Sequence, residues 1–347
     1  MKLLFENWRK YLIQEEINVN ASKKITQGVL LGLRQFIKKG PGEPLPDRQM
    51  AVFSFGGRDY GASDYDREKN PDYSHYSFNK QRLGMSEDLP VTSVRIRLGK
   101  SMPDKMGSTQ FAVGGSYSPI VGFHYGTSTG EKQFQTPGKN AGELVVQIVY
   151  NPELFKTRKD LMQGFNTLLP LIRKTVSHEL FHAYQTKKGR MFHKSKEGEY
   201  WSEVPLEDMP DVPGQVRYYL ADHETEAFVR GFYRQSKITK VKWEDVVNAY
   251  LDDIERSLEN AGKEYAKELI GLFGTLEEFR KTYREQIMQK WKDYARKELP
   301  CATLSNGKFI NPNVCTHEKP TLIKTTSAAI SKKWGGWRGL LAKLKKI

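Results

Sequence analysis

LLPLIRKTVSHELFHAYQTKKG, residues 168–189, is the stretch from which the rest of the chain can be read. Leu168, Leu169, Ile172, Val176, Leu180 and Phe181 recur at a period near 3.6, that of a helix with one apolar face. Gly189, after Lys187 and Lys188, is a natural stop for that helix. His178 and His182 stand four apart, so a helix projects both from one face, a turn apart. Two imidazoles so placed reach one Zn²⁺ at about 2.0–2.1 Å. Glu179, beside the first, can reach a metal-bound water without being a ligand, the place of a general base. The plain alternative is a helix with two incidental histidines. Against it stand the strong periodicity around the pair and a total of only seven histidines in the chain.

Upstream the texture is different. From about 45 to 155 short apolar runs alternate with Gly, Pro and Asp clusters, and Ala51–Phe55, Val94–Leu98, Gln110–Val113 and Leu144–Tyr150 read as strands. Tyr60–Asp88 is polar, aromatic and aperiodic, and reads as loop. Residues 1–18 form an amphipathic helix with Leu4, Phe5, Trp8 and Leu12 at helical spacing. Downstream, a Pro- and acid-containing loop over 191–216 leads to helices near 216–235, 244–260, 263–273 and 275–298. The last opens with Thr275 and Glu278 at capping-box spacing. The expected fold is α+β: a small mixed or antiparallel sheet, then a mainly helical part, with zinc between two helices. The chain divides into a leader helix (1–20), a β-rich part (21–160), a helical part with the zinc site (161–298) and a loop with a basic tail (299–347).

A catalytic zinc needs a third protein ligand and an open position. Lys188 occupies the place where a longer signature would put a third His. His193 lies beyond the helix stop, in the loop. The stronger source is YYLADHETEAFVRGF, 218–232, where carboxylates sit among apolar residues of a packed helix. A buried carboxylate there needs a partner, and a metal is one. Tyr218, Tyr219, His193 and His223 are candidate donors to an oxyanion, and the sequence does not choose among them.

HELFH followed by a helical Glu resembles the gluzincin metallopeptidases. More narrowly, Glu224-Thr225-Glu226-Ala227 is similar to the E-x-x-A element of CAAX-processing membrane peptidases and soluble phage-repressor-cleaving peptidases. The resemblance implies a zincin-like fold, His178, His182 and Glu224 as ligands, and Glu179 as general base. Those families carry Asp or Asn after the Ala as a hydrogen-bonding support; this chain has Phe228, which leaves Asp222 or Glu226 for that task. The departure keeps Glu226 open as the ligand, and His193 and His223 as alternatives. The likeness covers about 165–235. In zincins an extended substrate lies along an edge strand beside the metal; Glu143–Tyr150 is the candidate, with an ordinary core strand as the other reading. The opening MKLLFENWRKYL also resembles short leaders on structural proteins of tailed bacteriophages.

The expected function is zinc-dependent hydrolysis of peptide bonds in a protein or peptide substrate. One alternative is a phage structural or packaging-associated protein whose zinc site is structural or vestigial. Another is a basic nucleic-acid-binding protein, since Lys plus Arg exceed Asp plus Glu by 55 to 41. No nucleic-acid-reading motif supports that one, and a generally basic surface explains the charge. The tail over 330–347 sets Trp334, Trp337, Leu341 and Leu344 against Lys and Arg, which fits either packing on the domain or lying on an anionic membrane. The N-terminus lacks the apolar run of a secretory signal, and no stretch nears the ~20 apolar residues of a membrane span. Cys301 and Cys315 could form one bridge across a loop, but unpaired thiols in a reducing, cytoplasmic setting are the expectation.

Overall fold

A computed structural model describes residues 2–45, 51–56, 74–76, 91, 93–100, 110–118, 142–187, 192–194, 200–202, 211–261, 263–299 and 301–312. The basic tail, most of Tyr60–Asp88, the helix stop at Gly189 and Cys315 lie outside them.

The chain opens with α1, Lys2–Lys39. The helix expected over 1–18 therefore runs on for three further heptads, to Lys39. The reason lies in residues 21–37, where Ala21, Ile25, Val29, Leu33, Phe36 and Ile37 form a buried stripe at helical spacing. Five strands follow: β1 (Ala51–Gly56), β2 (Ser74–Tyr76), β3 (Ser93–Lys100), β4 (Phe111–Ser118) and β5 (Glu143–Tyr150). They make one mixed sheet in the order β2-β1-β3-β5-β4. β5 runs parallel to β3 from Ser93↔Glu143 to Lys100↔Tyr150, and antiparallel to β4 from Phe111↔Tyr150 to Ser118↔Glu143.

β5 is thus an interior strand, the core-strand reading of Glu143–Tyr150 and not the edge-strand one. Its composition explains this. Leu144, Val146, Ile148 and Tyr150 are buried on one face, and Val145 and Val149 are half-buried on the other, the near-continuous apolar run of a strand flanked on both sides. The edge belongs to β4, whose Gly114, Gly115 and Ser116 are exposed.

A 3₁₀ turn, Asp160–Gly164, leads into α2, Phe165–Lys187. Leu168, Ile172, Val176, Leu180 and Ala183 of α2 pack with α1 and the inner face of the sheet as a first core. Ser22 of α1 and Ser177 of α2 share a hydrogen bond of 2.8 Å at that contact. A hairpin, β6 (Phe192–Lys194) with β7 (Tyr200–Ser202), lies inside the stretch expected as loop.

The expected helix over 216–235 is two: α3 (Gly214–Leu220) and α4 (Asp222–Thr239). Ala221 between them is extended, φ −65° and ψ 135°. Asp222 and Glu224 fall in the first turn of α4, where the helix dipole favours negative charge. Then come α5 (Trp243–Glu259), α6 (Lys263–Phe273) and α7 (Leu276–Glu278), the last continued by a π-helical turn (Phe279–Tyr283) into α8 (Arg284–Glu298). The expected capping box is present: Thr275 Oγ1 accepts from the Glu278 N–H, and Glu278 accepts from the Thr275 N–H. Val229, Phe232, Trp243, Leu251, Phe279 and Trp291 centre a second core among these helices.

Cys301 is disulfide-bonded, which corrects the expectation of free thiols. After α8 the chain doubles back: Thr303 bridges Phe309, and the Ile310 N–H donates to the Ala302 carbonyl at 2.8 Å. That return carries the chain toward Cys301, a closeness that residue counting does not reveal. No described helix is long and apolar enough to cross a membrane.

Candidate metal centre

The site lies where the two cores meet. α2 belongs to the first and α4 to the second, and Gly231 lets them close together. A Cβ there would stand 3.3 Å from the Lys174 carbonyl and 3.6 Å from the His178 Cβ, so even a methyl would need the backbone to give by a few tenths of an ångström.

Three buried side chains converge across this seam: His178 and His182 from α2, Glu224 from α4. The two imidazole Nε2 atoms are 3.0 Å apart. Glu224 Oε2 is 3.3 Å from His178 Nε2 and 3.4 Å from His182 Nε2. Yet that oxygen is buried and makes no well-aligned hydrogen bond. A buried carboxylate oxygen without a partner is costly, and paired imidazole nitrogens are common ligands of borderline first-row divalent ions. The donor set fits: these three residues could hold a metal ion. Burial would raise the Glu224 carboxyl, but the neighbouring imidazoles override it and hold the group well below the ordinary carboxylate range. Reciprocally, burial would lower His182, and Glu224 outweighs it, lifting the imidazole to about 9.

Glu179 points into the same space without joining the group. It is buried, with Oε1 3.9 Å from His178 Nε2. Burial raises its carboxyl above the ordinary value, against the pull of His178, His182 and the Tyr117 backbone N–H. The edge strand β4 crosses directly over it. A Cβ on Gly115 would lie 2.8 Å from Glu179 Cγ and 2.9 Å from Oε1. Thr175 Oγ1 donates to the Val113 carbonyl at 3.2 Å and ties α2 to that strand.

The remaining candidates are sorted by their contacts. At Tyr218, near the end of α3, burial and then the nearby Glu224 and Glu179 carboxylates raise the phenol, which therefore stays a neutral O–H donor. Tyr219 turns the other way, its hydroxyl 2.6 Å from that of Tyr250 and its carbonyl accepting from Trp291 Nε1. His223 Nε2 is 3.5 Å from Glu224 Oε1, the oxygen turned away from the histidine pair. Its Nδ1 is buried without a partner, and burial lowers its imidazole. His193 is in β6, paired in register with Trp201.

Glu226 is not at the metal point. It accepts from Gln185 Nε2 at 3.0 Å and from the Tyr294 hydroxyl at 2.8 Å. Asp222 is exposed and pairs with Lys290 at 2.9 Å, so it gives the site no support. Phe228 sets its ring edge-on to His178, centroids 4.5 Å apart. Gln185, which the sequence reading missed, accepts from His182 Nδ1 through its Oε1 at 2.9 Å. Its position three residues after His182 in HELFHAYQ was the one available signal. Compared with known proteins, the chain matches no family model, no curated protein and no solved structure.

Proposed function

We propose that this chain is a zinc-dependent peptidase of the gluzincin pattern, with His178, His182 and Glu224 as ligands and Glu179 as general base. The observation that carries the reading is the placement of Glu179. It is a buried carboxylate with raised affinity for protons, beside a three-ligand group but outside it. Three protein ligands are the number a catalytic zinc takes, and a base of raised pKa suits proton transfer near neutral pH.

Bound zinc would acidify a water and polarise a carbonyl. The chain's own residues do the rest. Glu179 takes the proton from the attacking water and passes it to the leaving amine. Tyr218, kept neutral, donates to the oxyanion that forms on the scissile carbonyl. The edge strand β4 lies over Glu179 with its Gly114–Ser116 backbone exposed, where an extended peptide can add by strand pairing.

Metal analysis and a peptidase assay test this together. Wild type should hold one zinc per chain, and His178→Ala or His182→Ala should lose it. Glu179→Gln should keep the metal while turnover falls by about 10²–10⁴. Zinc retained in both histidine variants, or hydrolysis at the wild-type rate in Glu179→Gln, would overturn the proposal.

A further inference from the structure

One histidine ligand is held by a chain of buried hydrogen bonds that crosses the seam. Gln185 is buried, and its Nε2 lies 3.0 Å from the His223 backbone carbonyl. A carbonyl only accepts, so that atom must be the amide nitrogen and Oε1 must face His182 Nδ1 at 2.9 Å. Oε1 in turn only accepts, so Nδ1 carries a hydrogen. In the neutral imidazole this leaves Nε2 bare, with its lone pair toward His178 Nε2 and Glu224 Oε2. The second Gln185 N–H goes to Glu226 Oε2 at 3.0 Å. Glu226 Oε1 accepts from the Tyr294 hydroxyl of α8 at 2.8 Å, and Arg230 Nε donates to the same hydroxyl at 3.3 Å.

We infer that Gln185 and Glu226 are positioning residues for His182, selecting the tautomer and ring orientation that present Nε2 to a metal. Tyr294 anchors the pair to α8. The inference deepens the zinc reading and rests on it. The mechanism is the known one for metal-bound histidine, whose distal N–H is fixed by an acceptor that is itself held. Here the acceptor is an amide locked by a backbone carbonyl, and the carboxylate stands one bond further out.

The test measures zinc affinity by competition with a chromophoric chelator. It adds ¹⁵N-histidine NMR of the zinc-loaded full chain, in which the His182 Nδ1–H should be seen as a slowly exchanging proton. Gln185→Leu removes the acceptor; it should weaken zinc about 10–100-fold and abolish the protected proton. An unchanged affinity, or a persisting protected Nδ1–H, overturns the inference while leaving the metal site intact. A wild-type chain that takes no zinc overturns both readings.

A reciprocal exchange decides the matter if Gln185→Leu does not fold. Gln185→Glu sets two carboxylates face to face and should weaken zinc. The acceptor toward His182 is kept in both variants, and adding Glu226→Gln restores a donor between the two side chains. The double variant should regain most of the lost affinity, and one no better than Gln185→Glu overturns the inference.

Discussion

Glu224 and Glu226 are two apart on one helix, which turns them roughly 200° from each other. One meets the histidine pair and the other meets Gln185 and Tyr294. Glu224→Ala should therefore strip zinc or weaken it greatly, since two histidines alone hold it poorly. Glu226→Ala should keep the metal and lose at most about 10–100-fold in affinity, as expected of a group acting through a ligand. Zinc titration of both variants checks this, and the reverse order would move the ligand by two residues. That Glu224, not Glu226, meets the histidine pair was legible through its likeness to E-x-x-A. The roles of Gln185 and Tyr294 were not, because Tyr294 reaches Glu226 across 68 residues of chain and no spacing rule spans that distance. Phe228 was legible only as a departure; what it does instead, packing on His178, needed the fold.

Between elements, the closest approach near the base is that of β4 to α2. Gly115→Ala would press a methyl to within 3 Å of Glu179 and 2.6 Å of Thr175 Cγ2. The Glu179 side chain is the part free to yield. Turnover is expected to fall about 10- to 100-fold, the usual result of moving a reacting group by a fraction of an ångström or more. Zinc content should stay at the wild-type level, and a fall in zinc content with normal turnover per bound metal would refute the argument. The four strand runs and the long helices after residue 160 were readable because each repeats its period several times, whereas the second half of α1 went unread. β2, β6 and β7 have three residues each, too few for alternation to emerge. The Ala221 break was hidden for another reason. Alanine favours helix, and the bend is set by Thr225, whose hydroxyl donates to the Tyr219 carbonyl and whose N–H donates to Ala221. That bend lets Tyr218 of α3 and Glu224 of α4 face one point.

Across the whole molecule, the His178, His182 and Glu224 group, which could hold a metal ion, lies between two cores that otherwise meet through α2 and α4. Lys174 spans the same seam, its ammonium 5.3 Å from the Phe232 ring and 4.9 Å from that of Tyr250, and burial lowers it to about 8. An ion bound only when both sides are in place stabilises their union; at a thousandfold excess over Kd that is about 4 kcal/mol. Chelation should lower Tm by roughly 10 °C. Hydrogen exchange should quicken along the described parts of α2 and α4 facing each other, and leave β3 and β5 protected. Equal loss of protection everywhere would argue against a seam. The same arrangement orders events in time. His178 and His182 leave the ribosome well before Glu224, and the helices that hold α4 in place come later still. A nascent chain therefore offers a metal the two imidazoles before Glu224 exists, and the three-residue group would close only once α4 has docked.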